Sequence, residues 1–391
     1  MAPISPGSNL AMFSVLQASG DFEIFLDRLP VPTPADKEVL VQILAAPVNP
    51  SDTLLMFESA DPGKAEAFVR GDLPALRATV AAQTLPSLEG RIGDVLPVGN
   101  EASGRVIMAG SAPEAQALLG KKVALVGGAM YAEYRCAPAG ACLALPDDLD
   151  VRDGASSFVN PMTAMGFLET ARREGHRAIV HTAAASNLGL MLNRLCVADG
   201  IPLVNIVRSK EQADLLRREG ATYALNSSDP DFGDQLADAI AETGSTIIFD
   251  AIAGGSLGGR VLSAMELNAA RKMAEYSRYG SETLKQLYIY GRLDTSPIQL
   301  THDYGFRWSV AGWLLTHFLA SATGDLVAKM RARVASELTT TFASGYSHEI
   351  TLEQALDPDV VAAYVARRTG EKYLITPHPA ELGGRARLSD R

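Results

Sequence analysis

The chain has 391 residues, which exceeds the size of one ordinary hydrophobic core and favours two domains. Hydrophobic residues make up 47% and charged residues 20%, a composition typical of a globular protein and not of a disordered one. The formal net charge of −10 argues against nucleic acid as a main partner, because phosphate backbones are bound by basic faces. An anionic small ligand is still compatible with this charge, since a few local cations suffice to bind it.

The sequence carries no signal of a membrane-bound or secreted protein. The segment Met1 to Met12 has no basic flank followed by a long apolar run, so we expect no signal peptide. No uninterrupted apolar stretch reaches about 18 residues, so no membrane span is expected. The three cysteines, Cys136, Cys142 and Cys196, are too few for a disulfide framework or a four-thiolate zinc site. We therefore predict a reducing, cytoplasmic setting.

The first third of the chain is predicted to form short strands and turns. Val39 to Ala45 is an apolar run of strand length that ends at Pro47 and a turn from Asn49 to Asp52. Gly104 to Met108 and Lys121 to Val126 are further strand candidates. A different pattern lies between the turn and these strands.

Two N-cap signals fall in the stretch from Glu58 to Asp94. Asp61-Pro62 and Asp72-Leu73-Pro74 each place an N-cap residue and an early proline before Ala-rich sequence. This pattern predicts one or two short helices.

From about Ala155 the sequence alternates between strand and helix patterns. The predicted strands are 177–182, 202–207, 224–226, 246–251 and 287–291, and the predicted helices are 188–198, 210–219 and 232–242. Such alternation indicates βαβ units and a parallel sheet of Rossmann form. A helix at 324–337 and a closing strand at 372–376 follow, too little for an independent domain. We predict a nucleotide-binding domain over 155–314, inserted in a discontinuous domain of residues 1–154 and 315–391.

A candidate phosphate-binding turn lies between the first Rossmann strand and its helix. The fingerprint G-x-G-x-x-G falls on Ala184, Ser186 and Gly189, so only its last glycine is present. Alanine and serine are small enough for a tight turn, and a helix N-terminus offers N–H groups and a positive dipole end. The predicted pyrophosphate contacts are Ala185, Ser186, Asn187, Leu188 and Gly189. The competing interpretation is an ordinary strand–helix turn rich in small residues.

The end of the second Rossmann strand carries basic residues. An NAD enzyme places an acid there, about 20 residues past the glycine turn, to bind the ribose diol. Here the chain has Arg208 and Lys210, which would attract a 2′-phosphate. The alternative is a solvated basic pair at a helix start, where positive charge opposes the helix dipole. The pattern favours NADPH over NADH.

Several segments, in order along the chain, resemble zinc-free medium-chain reductases of the NADPH:quinone oxidoreductase type. Pro47 to Asp52 resembles their N-P-S-D turn, and Leu96 to Gly104 resembles their P-x-x-x-G-x-E-x-x-G segment. Tyr131 to Tyr134 is similar to a short A-E-Y strand, while Tyr290 to Leu293 and Gly312 to Leu315 resemble a strand end and an aromatic linker. The resemblance implies a Rossmann domain inserted in a mainly β, GroES-like catalytic domain. It also implies a homodimer, commonly joined through the nucleotide domain.

The resemblance further implies an NADPH-dependent reductase that transfers hydride to a quinone or an α,β-unsaturated carbonyl, a small-molecule electron acceptor. Asn49 would polarise the acceptor oxygen, although a plain turn explains its composition equally well. Asp52 is more simply structural, and Tyr131 is a candidate proton donor. Further cofactor contacts are implied at strand ends and at one helix start, namely at Thr163, Asn226, Ala251, Ile252, Tyr290, Gly291 and Arg292. Helix capping is the competing role for Thr163.

The residue types of a catalytic zinc site are missing at the expected positions. Zinc-dependent relatives carry a cysteine at the first turn and a G-H-E segment, whereas this chain has Asn49 to Asp52 and Gly99-Asn100-Glu101. The six histidines show no ligand spacing and are expected to be surface or ordinary polar residues: His176, His181, His302, His317, His348 and His378. We therefore predict that no metal is bound.

Two alternatives to quinone or enone reduction stay open. Enoyl-thioester reductases of this family carry a tyrosine about eight residues after the N-P-S-D turn, and Thr53 to Ala60 contains none. A protein that binds NADPH with little catalysis is the other alternative.

Two stretches are longer than in the family. The stretch Glu58 to Asp94 suggests a helical flap over the substrate side, or a surface decoration. The second, Gly255 to Lys285, holds a helical segment ending in Tyr276 and Tyr279 and suggests a dimer contact or a cleft wall.

Overall fold

The computed structural model describes residues 7–382, which form two compact units. Unit 1 comprises the described residues of Met1–Val159 and Ser344–Arg391, and unit 2 comprises Asn160–Ala343. Residues 1–6, part of the segment considered for a signal peptide, and residues 383–391, part of the second range assigned to the catalytic domain, lie outside the described residues. The domain boundaries inferred from the sequence, after residues 154 and 314, fall before both junctions between the units.

Unit 1 begins with ten strands and three short helices. The strands are β1 (Asn9–Leu16), β2 (Asp21–Leu29), β3 (Glu38–Pro47), β4 (Glu66–Arg70), β5 (Leu73–Thr79), β6 (Leu96–Pro97), β7 (Glu101–Ala109), β8 (Lys122–Val126), β9 (Tyr134–Pro138) and β10 (Leu143–Ala144). The α-helices are α1 (Pro50–Phe57), α2 (Pro113–Gln116) and α3 (Val151–Gly154), and short 3-10 helices occupy Pro62–Lys64, Leu85–Arg91 and Ala139–Ala141.

The chain then passes through unit 2 and returns to unit 1. The strands of unit 2 are β11 (Ile179–Thr182), β12 (Leu203–Val207), β13 (Tyr223–Asn226), β14 (Ile247–Asp250), β15 (Ala253–Gly255), β16 (Lys285–Ile289), β17 (Asp294–Ile298) and β18 (Trp308–Gly312). Its helices are α4 (Val159–Arg173), α5 (Asn187–Asp199), α6 (Lys210–Arg218), α7 (Phe232–Thr243), α8 (Leu257–Arg271), α9 (Leu315–Ser321) and α10 (Gly324–Ser336). The returning segment adds β19 (His348–Ile350), a 3-10 helix (Gln354–Leu356), α11 (Pro358–Val365), β20 (Tyr373–Ile375) and a 3-10 helix (Pro379–Glu381).

Two sheets build unit 1. One has the order β4-β5-β2-β1-β6, and the other has the order β10-β8-β7-β3-β20-β19, with β9 also paired to β3. A single apolar cluster takes residues from both sheets, including Leu16, Ile24 and Val41. Strand β20 pairs antiparallel with the end of β3, so the last part of the chain completes this unit.

Unit 2 contains a six-stranded sheet in the order β13-β12-β11-β14-β16-β18. Every neighbouring pair in this sheet is parallel. The carboxyl ends of the six strands therefore lie at one edge, where open α/β sheets bind their ligands. The three central strands, β12, β11 and β14, are buried on both faces and rich in Val and Ile, as in parallel sheets covered by helices. Within residues 7–382, no helix has the length and apolar character needed to cross a membrane.

The prediction of helices after Asp61 and Asp72 is largely wrong. Only the short 3-10 helix Pro62–Lys64 follows Asp61, whereas Asp72 lies in the turn between β4 and β5. Strand β5 pairs with β2 from Ala75 to Thr79, and this sheet pairing outweighs the local helix signal. The stretch is therefore an extension of the first sheet, and the proposed helical flap is corrected to a β-hairpin followed by a 3-10 helix.

Three smaller predictions also need correction. The turn Asn49 to Asp52 is the start of helix α1, with Asn49 as its N-cap and Pro50 as its first residue. Thr163 lies inside α4 and does not cap it. The helical segment in the second enlargement ends at Arg271, before Tyr276 and Tyr279.

Candidate functional site

The turn after β11 has the geometry of a dinucleotide-binding turn at its last glycine. Ser186 is the N-cap of α5, and its Oγ accepts a hydrogen bond from the Gly189 N–H at 3.1 Å. A Cβ atom on Gly189 would lie 2.2 Å from the carbonyl oxygen of Ala184. Only glycine therefore allows α5 to start this close to the turn, which is the role of the third fingerprint glycine.

The first half of the turn lacks glycine but still adopts a glycine-like conformation. Ala183 has φ +51°, in the left-handed region that costs a residue with a Cβ about 1–2 kcal/mol. Ala184 and Ala185 are buried, so their small side chains pack into the interior while the backbone forms the turn. The N–H groups of the first turn of α5, Asn187 to Gly189, are those for which helix geometry provides no intrahelical acceptor.

Arg208 and Lys210 flank the N-cap of α6, directly after β12. Ser209 caps the helix by accepting from the Gln212 N–H, and Lys210 Nζ lies 2.6 Å from Asp214 Oδ2. Arg208 uses its backbone N–H and C=O for local hydrogen bonds to Gln212 and Ser228, and its side chain is exposed. The guanidinium is therefore at the surface beside the carboxyl edge of the sheet, while the Lys210 charge is partly compensated.

The ends of β14 and β16 lie against each other at the same edge. The Asp250 carboxylate accepts hydrogen bonds from Thr182 Oγ1 at 2.5 Å and from the Ile252 N–H at 2.9 Å. A Cβ atom on Gly291 would lie 2.6 Å from the carbonyl oxygen of Ala251. The structure thus brings together Ala251, Ile252 and Gly291, which the sequence assigned to the cofactor. The exposed Arg292 follows Gly291 directly.

Tyr290 is held by a histidine of the sheet. His181 Nε2 lies 2.7 Å from the Tyr290 hydroxyl, and the two rings stack with centroids 5.7 Å apart. Burial lowers the pKa of His181 to about 3, so the imidazole is neutral. His181 is therefore an ordinary polar residue, one of the two roles expected for the histidines. Its ring holds the Tyr290 side chain toward β11.

Asn226 ends β13, and Thr163 lies within α4. Asn226 donates from Nδ2 to Asp229 Oδ1 at 2.6 Å and accepts from the Ser228 N–H at 3.1 Å. Both ends of its amide are used within its own turn after β13. Thr163 is buried within α4.

In unit 1, two of the three residues predicted for catalysis, Asn49 and Asp52, belong to one buried network. Asp52 accepts from the backbone N–H groups of Asn49 at 2.9 Å and Asn100 at 2.8 Å. Asn49 Nδ2 donates to Glu101 Oε1 at 2.8 Å. Asp52 thus joins the start of α1 to the segment before β7.

Glu101 is the centre of this network, and in the sequence it stands out only as part of the segment Leu96 to Gly104. Its Oε2 accepts from the N–H groups of Phe158 and Val159, both at 2.9 Å. Burial raises the pKa of Glu101, and burial raises the pKa of Asp52 to about 7. Two carboxyl groups with raised pKa values therefore stand next to the candidate Asn49.

Lys372 supplies the positive charge of the network and was missed by the sequence analysis. Its Nζ donates to Ser156 Oγ at 2.8 Å, and Tyr346 donates to the same oxygen at 2.8 Å. Burial lowers the pKa of Lys372 to about 8, while Glu101 and Asp52 act to raise it. Its only sequence signal is a lysine at the start of the closing strand. Its hydrogen bond to Ser156 and its charge interaction with Glu101 join segments that are far apart in the chain, and β20 follows it directly, paired with β3.

The Tyr131 side chain is bound within unit 1. It is buried, and its hydroxyl donates to the carbonyl oxygen of Pro47 at 3.1 Å. Burial raises the pKa of Tyr131 well above its usual value. The side chain fastens the end of β3, and its role as a proton donor stays a prediction.

No group of three or more His, Cys, Asp and Glu side chains suited to a metal ion occurs in the part of the chain that the structure describes. That the protein binds no metal stays a prediction. The residue types at Asn49 to Asp52 and at Gly99-Asn100-Glu101 support it.

Comparison with curated proteins finds quinone oxidoreductases. No model of a known protein family matches the chain. The quinone oxidoreductase of Rattus norvegicus is 25% identical over 261 residues, which cover 63% of this chain and 71% of that protein. The human quinone oxidoreductase is 25% identical over 277 residues, covering 65% of this chain and 74% of the relative. A 2-haloacrylate reductase of Burkholderia is 25% identical over 184 residues, covering 46% of this chain and 50% of that protein.

Comparison with solved structures confirms the predicted fold class, a Rossmann domain with a mainly β, GroES-like domain. A Mesorhizobium loti protein provisionally named NADPH:quinone reductase has a TM-score of 0.70 and 24% identity, over 95% of this chain and 99% of that one. A mycobacterial protein complexed with NADPH gives a TM-score of 0.65 at 19% identity, over 94% and 100% of the two chains. A mutant enoyl thioester reductase of Candida tropicalis gives 0.66 at 18% identity, over 94% and 99%.

Proposed function

Because this chain is a quinone-oxidoreductase-like member of the medium-chain dehydrogenase/reductase superfamily, we propose that it is an NADPH-dependent reductase. The proposed acceptor is a quinone or an α,β-unsaturated carbonyl, reduced without a metal ion. Curated relatives named quinone oxidoreductase and 2-haloacrylate reductase support a reductase of activated double bonds or quinones. The observation that carries the proposal is the turn from Ala183 to Gly189 at the carboxyl edge of the parallel sheet.

The residues of unit 2 fit a dinucleotide phosphate. The close approach of Gly189 to Ala184 sets the start of α5 against the turn, and the backbone N–H groups of a helix N-terminus can bind a pyrophosphate. Ala185 to Gly189 would hold the pyrophosphate, and Arg208 with Lys210 would hold the 2′-phosphate. Ala251, Ile252 and the backbone of Tyr290 to Arg292 would line the nicotinamide side, with Thr163 and Asn226 as supporting residues. When bound, NADPH supplies the hydride.

The residues of unit 1 would orient the acceptor. Asn49 Nδ2 has two N–H groups, and Glu101 accepts one of them. We propose that the second polarises the acceptor oxygen, while Glu101 fixes the orientation of the amide. Asp52 supports this arrangement by holding the Asn49 backbone, and Tyr131 supports it by holding Pro47.

Cofactor choice is tested by titrating NADPH and NADH into the wild type and into Arg208→Gln. Loss of one charge-assisted contact to the 2′-phosphate should weaken NADPH binding roughly tenfold to a hundredfold. NADH binding should stay the same, because NADH carries no 2′-phosphate. Arg218→Gln is the matched control, since Arg218 is an exposed arginine at the other end of α6. Equal weakening of both cofactors in Arg208→Gln would refute the assignment.

Acceptor class is tested with a panel of quinones, enones and enoyl-thioesters at saturating NADPH. We expect turnover with quinones or enones and little with enoyl-thioesters, because Thr53 to Ala60 contains no tyrosine. Efficient enoyl-thioester reduction would favour the alternative that structural neighbours such as the Candida enzyme suggest. Tight NADPH binding without turnover of any acceptor would favour a binding protein with little catalysis.

A further inference from the structure

Strand β4 is an open edge of the first sheet of unit 1. Among residues 7–382 it pairs on one side only, with β5. Its sequence is Glu66-Ala67-Phe68-Val69-Arg70, and Val69 is 69% exposed. Proteins usually block such edges with lysine, proline or a bulge, because unpaired backbone groups bind another strand. Strand β4 contains no lysine, proline or bulge, and its two charged residues, Glu66 and Arg70, have opposite signs.

The hydrogen-bond pattern fixes which backbone groups of β4 face outward. The Val80 N–H donates to the Gly20 carbonyl at 2.8 Å, so the even-numbered residues of β5 point their backbone groups toward β2. Pro74, which lacks an N–H, falls in this set, beyond the last residue of β5 that pairs with β2. The odd-numbered residues of β5 therefore bond to Glu66, Phe68 and Arg70 in the pairing register.

The backbone groups of Ala67 and Val69 are left at the open edge. Each contributes one N–H and one C=O, two residues apart, which is the spacing that an antiparallel partner requires.

We propose that β4 pairs antiparallel with β4 of a second copy of this chain, centred on Phe68. In this register Ala67 of one copy lies opposite Val69 of the other, and the outward groups form four hydrogen bonds. Glu66 lies opposite Arg70, twice, because the pair is symmetric. Phe68 lies opposite Phe68 at the close, non-hydrogen-bonded spacing where side chains interact most.

The charges already present in the sheet continue into the second copy. On one face, the register sets Glu23 beside Arg77 and Arg77 beside Glu66, and Arg77 Nη2 lies 2.8 Å from Glu23 Oε1. Arg70 of the second copy would be the fourth charge in this row, in which negative and positive charges alternate. A shift by one or two residues would lose both Glu66–Arg70 pairs, so the charges select the centred register.

The aromatic residues of the same face follow the strands in the same way. Phe25 lies beside Ala75, and Ala75 lies beside Phe68 in the two registers. Arg70 lies 3.7 Å above the Phe25 ring and 3.8 Å from Glu23, so its side chain is on the same face as Glu66 and, on pairing, would turn from Glu23 toward Glu66 of the second copy. The interface is one short strand, so we expect weak, concentration-dependent and salt-sensitive association.

The experiment is sedimentation velocity of the full chain over a concentration series. The wild type should rise to twice the mass of Glu66→Arg at high concentration, whether the unit that associates is a monomer or a dimer. Glu66→Arg and Arg70→Glu should each lose this step through like-charge repulsion. An equal mixture of the two variants should regain it, since both facing positions of the mixed pair then join an arginine to a glutamate. The double variant E66R/R70E should also regain it.

Two further variants keep the test independent of folding effects. Val69→Pro removes an outward N–H that β5 does not use, and it should abolish the step while the charges stay in place. Glu114→Arg makes the same charge change on an exposed residue of α2 and should leave the step intact. Equal masses of wild type and Glu66→Arg at every concentration would overturn the proposal, as would a mixture of the two single variants that shows no gain. The proposal does not depend on the activity of the protein.

Discussion

At the scale of single residues, the buried polar network of unit 1 shows how charge is stabilised away from water. Burying a carboxylate is unfavourable unless hydrogen bonds or an opposite charge compensate it. Glu101 accepts hydrogen bonds from Asn49 Nδ2 and from two backbone N–H groups, and Lys372 lowers its pKa while burial raises it. Asp52 accepts from two backbone N–H groups. These bonds keep Asn49 in one orientation.

Replacement of Asp52 by Asn should destabilise the protein most at low pH. The amide loses one of two accepted hydrogen bonds, a loss of about 1–3 kcal/mol for a buried site. Since burial raises the Asp52 pKa from 3.8 to about 7, the folded state binds the proton more tightly than the unfolded state. Wild-type stability therefore falls as pH rises from about 4 to about 7, and the variant lacks this loss.

The measurement is the free energy of unfolding by urea at several pH values. The difference in the free energy of unfolding between wild type and Asp52→Asn should become smaller as the pH rises. A difference that widens between pH 4 and pH 7 would contradict the raised pKa. Asp61→Asn is the control, because Asp61 is an exposed cap of a 3-10 helix.

Replacement of Lys372 by Met should change the pH dependence on the alkaline side. Burial lowers the Lys372 pKa from 10.5 to about 8, so between these values the unfolded state binds more protons than the folded state. Wild-type stability should therefore rise, relative to the variant, as pH increases from about 8 to about 10.5. Urea unfolding of both proteins in this window measures the effect, and parallel pH profiles would rule it out.

At the scale of elements, the turn before α5 combines a required glycine with a strained alanine. Gly189 is set by its close approach to Ala184, whereas Ala183 has a conformation that glycine would adopt without strain. The turn therefore keeps its shape although only one of the three fingerprint glycines, Gly189, is present in the sequence. In the hairpin of β4 and β5 the local sequence favours a helix, but the pairing of β5 with β2 makes the segment a strand.

Replacement of Ala183 by Gly should stabilise the protein by about 0.5–1.5 kcal/mol. Relief of the left-handed strain exceeds the extra backbone entropy that glycine loses on folding. Chemical denaturation measures the change, and Ala198→Gly is the opposite control, since a glycine inside α5 should destabilise by about 1 kcal/mol. A destabilised Ala183→Gly variant would show that the turn is not strained.

Replacement of Gly189 by Ala should displace α5 from the turn, because a Cβ atom would stand 2.2 Å from the Ala184 carbonyl. We expect loss of NADPH affinity together with a lower free energy of unfolding. Isothermal titration and thermal unfolding of the variant measure both. Full retention of affinity would show that the N-terminus of α5 does not hold the pyrophosphate.

At the scale of the whole molecule, unit 1 is built from both ends of the described chain. Strand β20 pairs with β3, and Ile350, Leu356, Tyr373 and other returning residues enter the core of unit 1. Unit 2 has its own core, which its sheet and helices supply. A change in the returning segment should therefore act on unit 1 first.

Truncation after Ala343 should unfold unit 1 and spare unit 2. Removal of β19, β20 and α11 exposes the β3 edge and takes several side chains from the core. Hydrogen exchange with peptide resolution should show fast exchange in β3 and β7 and retained protection in β11 and β14. Uniform protection in both units would mean that unit 1 folds without its last segment.

The sequence by itself determined the alternation of strands and helices in unit 2 and the resemblance to quinone oxidoreductases, and it predicted a preference for NADPH from Arg208. These features are local, because side-chain periodicity, caps and charges act within a few residues of the chain. The same holds for Gly189, whose role depends on its own turn. The comparisons with known proteins agree with this part of the prediction.

The tertiary structure alone decided the network around Glu101 and Lys372, the pairing of Tyr290 with His181 and the strand character of Leu73 to Thr79. Each joins residues far apart in the chain, so its energy comes from partners that no local pattern reveals. Asp52 and Tyr131 illustrate the consequence, since their polar groups are bound to Asn49, Asn100 and Pro47 within unit 1. The residue types predicted polar interactions at these positions, and the fold determined which partners these polar groups bind.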